Sequence, residues 1–315
     1  MPTRKSPRKG SLQYWPRKRA SKFLPSVNWN SINTESKGLK GIIAYKAGMM
    51  SAHVKDKTPD SMTKGKKIAI PVTILECPAN KILSVRFYKN GIVAKEIWAE
   101  SLDKELAKKI KLPKKKFGKL EDVKEHEYDD IRAILYSEAK KTEIKKIPDL
   151  SEIGLSGDIK EKFEFVKTHL GKEISVEDVF KAGELIDTRG LTKGRGLQGA
   201  VRRFGIQLKS HKSEKGRRRA GSLGPWHPAR VTFRVPQAGQ LGMFTRVTYN
   251  NKIIAIKKTP DSPLKNIKNY GDVNTNYIVV YGSIQGPSKR QLILTKSLRP
   301  NRKQLKKDYE FMELA

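Results

Sequence analysis

The sequence has little of what a secreted, membrane-embedded or thiolate-metal protein needs. A single cysteine, Cys77, among 315 residues excludes an internal disulfide framework and any site with several thiolate ligands. No run approaches the roughly eighteen consecutive apolar residues of a membrane-spanning helix. Residues 1–10 are basic but lead into no apolar run, so they are not a secretory signal. We therefore expect an intracellular protein with no membrane contact.

Acidic residues are scarce outside the centre of the chain. The sequence has 66 Lys+Arg against 32 Asp+Glu, a formal net charge of +34. Residues 96–184 hold twenty-one acidic and nineteen basic residues, so the whole cationic excess lies outside this block. Residues 1–34 contain no acid, and none occurs between Asp272 and Asp308. Regions of one charge sign repel themselves unless a polyanion neutralises them, which indicates a nucleic-acid partner.

Residues 1–38 are predicted to form an extended basic arm that binds RNA. Prolines interrupt any helix there, and the apolar residues have no period. Tyr14, Trp15 and Phe23 are interleaved with cations, a pattern typical of stacking on bases, although a solvated tail is the alternative. The arm residues predicted to bind RNA are Arg4, Lys5, Arg8, Lys9, Trp15, Arg17, Lys18 and Arg19.

Short β-rich runs precede and follow the near-neutral block. GIIAYKAGMM, KKIAIPVTILECP and KILSVRFYKNG come before it, and GELIDTRGL, RVTFRV, FTRVTYNNKIIAIKK, NYIVVYGSIQ and RQLILTKSL follow it. This arrangement predicts one β-barrel in two parts, residues 39–95 and 185–298, with an α+β domain inserted at 96–184. Residues 299–315 are predicted to form a tail with little core content. Cys77, in the second run, is predicted to be a small core residue.

The inserted block is predicted to contain three helices and a strand. Apolar residues recur at helical spacing in SLDKELAKKIK and in GDIKEKFEFVKTHLG, where Gly171 is placed to terminate the helix. Ser175 and Asp178 have the spacing of a capping box, which predicts a short helix that ends near Gly183. DDIRAILYSEA is consistent with a strand.

A Gly/Arg-rich segment, KGRGLQGAVRRFG, spans residues 193–205 and contains a literal G-x-G-x-x-G. We reject a dinucleotide site, because Gly205 interrupts the helix that such a site needs and the region that follows is basic. Glycines let the backbone approach a phosphate that the cations neutralise, so we predict a segment that runs along RNA, with a solvated loop as the alternative. The residues predicted to bind RNA here are Lys193, Gly194, Arg195, Gly196, Gly199, Arg202, Arg203, Lys209, His211, Lys212, Lys215, Arg217, Arg218 and Arg219.

Trp226 lies in GSLGPWHPAR, a Gly- and Pro-rich basic stretch at residues 221–230. A tryptophan at such a tip is better explained as a wedge or a stacking group on RNA than as a core residue. The further residues assigned to RNA binding are His227, Arg230, Arg234 and Arg246.

Catalytic and cofactor motifs are absent from the sequence. The five histidines are scattered, with no H-E-x-x-H and no Cys/His cluster, and neither G-x-S-x-G nor a phosphate-binding G-x-x-x-x-G-K-[ST] occurs. We expect no enzyme activity, no cofactor, no metal and no small-molecule substrate.

Several of these motifs, in the same order, resemble the universal large-subunit ribosomal protein L-three family in its archaeal/eukaryotic form. IDTRGLTKGRGLQGAVRRFG, residues 186–205, is similar to the family signature. GPWHPAR and AGQLGMFTR are similar to the tryptophan-tipped loop and its return, GSLQYWPRKRA to the N-terminal arm, and AYKAGMM, IPVTILECP and GSIQGPSKRQLIL to strands of the barrel. Arg189 and Phe204 depart from the family pattern, where an apolar residue and Trp are common.

The resemblance implies a closed Greek-key translation-protein-type β-barrel with an inserted α+β domain and two long basic extensions: the N-terminal arm and a loop at about 193–235. It implies a cytoplasmic, structural constituent of the large ribosomal subunit that binds 23S ribosomal RNA and neighbouring ribosomal proteins. Such a protein acts early in subunit assembly, points its loop toward the peptidyl transferase centre, and is neither an enzyme nor a homo-oligomer. The alternatives are an assembly or modification factor that docks on ribosomal RNA, and a chromatin-like duplex binder.

Overall fold

The computed structural model describes residues 10–34, 36–113, 118, 120, 123, 127–213 and 215–315. The described chain is mainly β, as the sequence predicts. Its strands are β1 (Gly38–Leu39), β2 (Gly41–Asp56), β3 (Lys67–Glu76), β4 (Asn80–Lys89), β5 (Ile92–Trp98), β6 (Asp130–Ser137), β7 (Leu150–Ser156), β8 (Glu173–Ile174), β9 (Leu185–Leu191), β10 (Leu197–Gln198), β11 (Gly239–Gln240), β12 (Thr245–Lys257), β13 (Leu264–Ile267), β14 (Gly271–Val273), β15 (Tyr277–Tyr281), β16 (Gln291–Lys296) and β17 (Tyr309–Leu314). The α-helices are α1 (Ile159–His169), α2 (Ala200–Phe204) and α3 (Arg302–Leu305), and 3₁₀ turns span Trp29–Ser31, Lys104–Lys108 and Ala139–Thr142. None of the helices in the described ranges is long and apolar enough to cross a membrane.

The chain divides into two compact units. The first unit comprises Met1–Lys22 and Leu191–Thr245, and the second comprises Phe23–Gly190 and Arg246–Ala315. The first unit therefore joins most of the predicted arm to the Gly/Arg-rich segment and the tryptophan loop. The second unit contains both large sheets.

One large sheet of the second unit has the strand order β1-β7-β6-β4-β5, with β8 added beside β4. Its pairings are antiparallel. We predicted that the inserted domain begins at residue 96, yet β4 and β5 hydrogen-bond within this sheet and not to β3. The part of this sheet that follows β3 in the chain therefore starts at Asn80, while the domain boundaries themselves stay a prediction.

The other large sheet has the order β16-β9-β12-β15-β3-β2-β17, and β16 also pairs with β2. The sixteen-residue strand β2 makes this possible: its first residues pair with β16, its residues from Tyr45 to Lys55 with β3, and its last residues with β17. Hydrogen bonding thus leads from β16 around through β9, β12, β15, β3 and β2 back to β16. Strands from before and after the central block share this sheet.

The core of the second unit is formed where apolar side chains of both sheets and α1 pack together. Phe163 and Val166, on the predicted apolar face of α1, are buried, and Gly171 has φ +75° just after the helix. This helix and the predicted strand β6 are confirmed. Cys77 is buried in the same core, as predicted, and burial raises the pKa of its thiol.

The second half of the predicted arm packs into this core. Trp29 is 3% exposed, and its indole Nε1 donates to the carbonyl of Glu152 at 3.1 Å. A Cβ on Gly154 would lie 2.7 Å from the Cβ of Trp29, so a residue without a side chain is needed there. Residues from Phe23 onward therefore belong to the second unit, because burial of Leu24, Trp29 and Ile32 holds them against it.

Two of the predicted elements are wrong, and a third is helical but of another type. The segment around Leu106 forms a 3₁₀ turn in place of an α-helix. Ser175 N–H does donate to Asp178 Oδ2 at 2.8 Å, but no helix follows, since only a few residues remain before Gly183 and so short a helix has little stability of its own. RVTFRV, residues 230–235, forms no strand, because no described strand lies beside it to complete a ladder.

The C-terminal tail contributes more than we predicted. Residues Tyr309–Leu314 form strand β17, which pairs with the last part of β2. Tyr309, Phe311 and Leu314 are partly buried against the apolar cluster of the seven-stranded sheet. Tyr309 and Phe311 follow the strand period of two, a signal present in the sequence, and the register shift between Phe311 and Glu313 moves the next half-buried residue to Leu314.

Candidate nucleic-acid interface

A short ribbon closes the base of the loop in the first unit. β10 pairs antiparallel with β11, so Leu197 lies opposite Gln240. The backbone bonds continue outward from this ladder, from Arg195 N–H to the Leu241 carbonyl at 3.0 Å and from Thr192 N–H to the Phe244 carbonyl at 3.0 Å. Residues 206–238, between the two strands of the ribbon, have no regular secondary structure among those described.

Glycine is required at one point of this ribbon and optional at another. Gly242 has φ +82°, and a Cβ there would lie 1.9 Å from the Lys193 carbonyl oxygen, so no other residue fits. Gly199, at the start of α2, has φ −68°, and a Cβ there would meet nothing within 4 Å. The protein itself therefore does not require the third glycine of the G-x-G-x-x-G pattern. Gly205 ends α2 with φ +66°, which confirms the early interruption that the sequence indicates.

The arm packs on α2 through aromatic rings and one guanidinium. The ring of Trp15 stacks on that of Phe204, with centroids 6.1 Å apart, and meets the ring of Phe233 edge-on at 5.4 Å. The guanidinium carbon of Arg17 lies 4.3 Å from the Phe204 centroid. Ala20 N–H donates to the Met243 carbonyl at 3.0 Å. These contacts fix residues 15–20 of the arm against the ribbon and α2.

Arg203 is a structural fork inside the first unit. Its Nε donates to the Gln240 carbonyl at 3.0 Å, its Nη1 to the Gln237 carbonyl at 3.1 Å, and its Nη2 to the Arg17 carbonyl at 3.4 Å. Burial lowers the pKa of this guanidinium from its ordinary value. We predicted that Arg203 neutralises phosphate, but three of its N–H groups are directed to protein carbonyls.

Cations far outnumber carboxylates in the rest of the first unit. Its sequence has twenty Lys and Arg residues and a single acid, Glu214, which lies outside the described residues. Of the cations predicted to bind RNA, the exposed ones in this unit are Lys18, Arg19, Lys193, Arg195, Arg202, Lys212, Lys215, Arg217, Arg218, Arg219, Arg230 and Arg234. Lys209 is half-buried. Its backbone N–H donates to the Arg217 carbonyl at 3.1 Å, and Arg217 Nε donates to the Lys209 carbonyl at 3.3 Å. These two hydrogen bonds hold the ends of the segment between Lys209 and Arg217 together.

The loop tip projects its largest side chain. Trp226 is 87% exposed, and every residue from 221 to 230 is exposed. His211 and His227 are also exposed. An indole with so little protein contact offers both faces and its N–H to a partner.

The remaining predicted residues fall elsewhere. Arg4, Lys5, Arg8 and Lys9 lie outside the described residues, and Arg246 lies in the second unit, half-buried in β12. Gly194, Gly196 and Gly199 lie together on the ribbon and at the start of α2. In the described part of the chain no group of three His, Cys, Asp or Glu side chains could hold a metal ion.

Sequence reasoning missed the packing role of Phe204 and of the carbonyls that Arg203 reaches. Phe204 is 6% exposed and lies between Trp15 and the two arginines. The only signal was a buried-type aromatic residue at the end of a very short helix in a basic segment. The carbonyl acceptors of Gln237 and Gln240 carry no sequence signal, because every residue has a carbonyl.

The structure thus defines a mainly β protein whose first unit is strongly cationic and carries an exposed tryptophan. The sequence model of the family described as "Ribosomal protein L3" matches residues 1–314. Among relatives, the Large ribosomal subunit protein uL3 of Methanocaldococcus jannaschii is 40% identical over 309 residues, covering 93% of this chain and 92% of the relative. Proteins of the same name from Methanococcoides burtonii and Methanothrix thermoacetophila are 40% identical over 311 residues and 38% identical over 315 residues, covering 93% and 95% of this chain and 92% and 93% of their own lengths. The chain belongs to the ribosomal protein L3 family.

Proposed function

We propose that this chain is a structural constituent of the large ribosomal subunit and binds 23S ribosomal RNA through its first unit. The observation that carries the proposal is the set of exposed cations on the ribbon, on α2 and in the loop that joins the two ribbon strands, in a unit whose sequence has one acid. Self-repulsion in such a unit is relieved by phosphate. The family membership and the names of the relatives support the ribosomal assignment.

Cations and glycines of the first unit have different roles in the proposed binding. Exposed cations such as Arg195 and Arg202 would neutralise phosphates, while Gly199, which has open space where a Cβ would be, would let an RNA backbone come close. Arg17 and Arg203 act differently: they bind protein carbonyls and hold the arm to α2. The arm and the ribbon thus form one preorganised surface.

Trp226 acts as a wedge or stacking group among RNA bases. Its 87% exposure leaves the indole available, and base stacking on an aromatic ring contributes about 1–3 kcal/mol. The loop would extend toward the peptidyl transferase centre and hold its surroundings in place, while the chain joins the subunit early in assembly. The proposal has two further parts: the fold is a closed Greek-key barrel of the translation-protein type, and the protein partners are neighbouring ribosomal proteins, with no self-association.

The main alternative, an assembly or modification factor docked on ribosomal RNA, would need a site for chemistry. A cleft beside Tyr136 holds carboxylates and lysines, but they pair with each other: Glu138 with Lys81 at 2.6 Å and Glu173 with Lys141 at 3.0 Å. Carboxylates and lysines paired in this way are also typical of a structural ion-pair network. The structural role is the one that the surface favours.

A salt titration of RNA binding tests the proposal. About ten phosphate contacts predict a log–log slope of roughly −7 to −9 for the full chain on transcribed 23S ribosomal RNA. The variant R217Q/R218Q/R219Q should make this slope shallower by about 2–3, since each lost contact removes about 0.7–0.9. The control variant K64Q/K66Q/K268Q removes the same charge from exposed lysines of the second unit and should leave the slope nearly unchanged.

Two outcomes would contradict the proposal. Equal affinity for duplex DNA and ribosomal RNA at matched salt would favour a chromatin-like binder. Release of a tagged copy from the large subunit by a high-salt wash alone would favour a peripheral factor over an integral component.

A further inference from the structure

A second cationic surface lies on the second unit, near the C-terminal end of the chain. Arg299, Arg302, Lys303 and Lys306 are exposed, and none of them forms a salt bridge with a carboxylate that the structure describes. The acids of β17 are paired elsewhere, Glu310 with Lys57 at 3.1 Å and Glu313 with Lys67 at 2.8 Å. Asp308, two residues after Lys306, is exposed and forms no salt bridge with these cations among the described residues. We call these four cations the α3 surface.

The N-terminal end of α3 is held in place by two asparagines. Asn301 Oδ1 accepts a hydrogen bond from the Lys303 N–H at 2.9 Å and so caps the helix. Asn301 N–H in turn donates to Asn250 Oδ1 at 3.2 Å, and Ser297 Oγ donates to the same oxygen at 2.9 Å. The cap is therefore fixed to strand β12.

The C-terminal end of α3 is held by a buried lysine. Lys252 is 5% exposed, and its Nζ donates to the carbonyls of Gln304 at 3.4 Å, Leu305 at 3.2 Å and Lys307. A cation at this end of a helix satisfies carbonyls that have no partner within the helix. Burial lowers the pKa of Lys252, so its position costs free energy that the three carbonyls offset.

Such anchoring distinguishes α3 from a solvated tail. A four-residue helix has almost no stability by itself, because nucleation is unfavourable. Here contacts at both ends hold it, and its cations Arg302 and Lys306, four residues apart, lie on one face. The result is an anchored face on which the four cations Arg299, Arg302, Lys303 and Lys306 outnumber the one adjacent carboxylate, Asp308.

We propose that the α3 surface is a second RNA-binding site that holds backbone phosphates, separate from the first unit. The inference rests on the proposed ribosomal RNA binding. An acidic protein is the less suitable occupant, because protein interfaces are depleted of lysine and centred on apolar side chains. The only large apolar side chain exposed on α3 is Leu305, at 50%. Phosphates need only the cations.

Two measurements on the full chain bound to transcribed 23S ribosomal RNA test this site. The variant R302Q/K303Q/K306Q should make the log–log salt slope shallower by about 2–3, whereas the equal charge removal in K64Q/K66Q/K268Q should not. A tethered hydroxyl-radical source on K303C should cut the RNA at discrete positions, and one on the control K64C should not. Cys77 is buried, so the installed cysteine is the one that takes the label.

The outcomes separate this inference from the proposed function. Discrete cutting from a source on K215C, in the first unit, with none from K303C would overturn the α3 site alone. Absence of cutting from both, with no salt-dependent binding of the unaltered chain, would overturn RNA binding altogether. Equal salt slopes for the α3 variant and its control would also overturn the α3 site, and would leave an acidic protein as its partner.

Discussion

Arg17 and Arg203 donate hydrogen bonds to each other's backbone carbonyls, although 186 residues separate them in the chain. Arg17 Nη1 reaches the Arg203 carbonyl at 3.0 Å, and Arg203 Nη2 reaches the Arg17 carbonyl at 3.4 Å. Two like charges tolerate this proximity because each is bonded to a carbonyl dipole and lies against the Phe204 ring. The arm and the Gly/Arg-rich segment are thereby joined before any RNA is bound.

The first prediction concerns the fork of Arg203. Lysine keeps the charge, but its single ammonium cannot reach three carbonyls that lie in different directions. We expect R203K to lower the stability of the first unit by about 1–3 kcal/mol, because carbonyls that accept from a charged donor lose it. Thermal unfolding, together with faster tryptic cleavage after Lys18 and Arg19, would report this loss.

The control for that prediction is the neighbouring residue. Arg202 is exposed, so R202K should leave stability and cleavage unchanged, while R202Q should weaken RNA binding. If R203K behaved like R202K in the unfolding measurement, the fork would have no structural role.

The second prediction separates glycine's use in folding from its use in binding. Because Gly199 has φ −68° and open space at the Cβ position, G199A should change the free energy of unfolding by less than about 1 kcal/mol. It should nevertheless weaken binding to ribosomal RNA several-fold, since a methyl group would hold the phosphate away. Filter binding of the folded variant measures this directly.

Gly242 supplies the opposite case. Gly242 has φ +82°, and the methyl group of G242A would lie 1.9 Å from the Lys193 carbonyl oxygen. We therefore expect G242A to lower the free energy of unfolding by at least about 1–3 kcal/mol.

Normal RNA affinity in the G199A variant would contradict the second prediction, because it would show that the backbone at Gly199 does not come close to a phosphate.

The third prediction is a pH dependence. The Asp56 carboxylate accepts hydrogen bonds from Thr58 N–H at 2.9 Å, Ser61 Oγ at 2.8 Å and Thr63 Oγ1 at 2.5 Å. These bonds, chiefly those from Thr58 and Thr63, hold the pKa of Asp56 well below its usual range. The stability they contribute is therefore fully present above pH about 4, the ordinary aspartate pKa, and is lost as pH falls toward the native pKa.

Urea unfolding at pH 7 and at lower pH values tests this sign. D56N should be less stable than the unaltered chain at pH 7, and the difference should shrink below pH about 4. D60N, at an exposed position of the same turn, is the control and should show no such difference. If the difference in the free energy of unfolding between D56N and the unaltered chain became larger in acid, the stabilising role of the ionised Asp56 carboxylate would be contradicted.

Sequence patterns predicted the elements that carry a long periodic signal. Helix α1 is eleven residues long and repeats an apolar side chain at helical spacing, and the long strands β2, β3, β4 and β12 lie in the β-rich runs of the sequence. The Ser175–Asp178 pattern failed because a capping box stabilises an end and cannot make a helix where chain is lacking. RVTFRV failed because a strand exists only beside a partner.

The candidate site was predictable in composition and not in arrangement. Charge and glycine content single out the segment from Lys193 onward, and the exposed position of Trp226 agrees with its Gly/Pro-rich setting. The division between exposed cations and the carbonyl-bound Arg17 and Arg203 depends on contacts between segments far apart in the chain. The sequence alone does not distinguish an arginine that binds a phosphate from one that binds a protein carbonyl.

The fourth prediction contrasts two tryptophans of the chain. Trp226 is 87% exposed, so W226A should leave the free energy of unfolding within about 0.5 kcal/mol of the unaltered value. Trp29 is 3% exposed against Gly154, so W29A should cost about 3–5 kcal/mol. Urea unfolding of both variants measures this difference.

W226A, which should barely change stability, should nevertheless impair the function of the large subunit. Large subunits that carry W226A should form peptide bonds more slowly, because in the proposed wedge role the RNA bases would lose the support of the indole. The same subunits should keep their protein complement, since the cations that bind phosphate remain. Unchanged peptide-bond formation in a folded, incorporated W226A chain would mean that the exposed ring has no part in holding the RNA, and the wedge role would have to be abandoned while phosphate binding by the first unit stood.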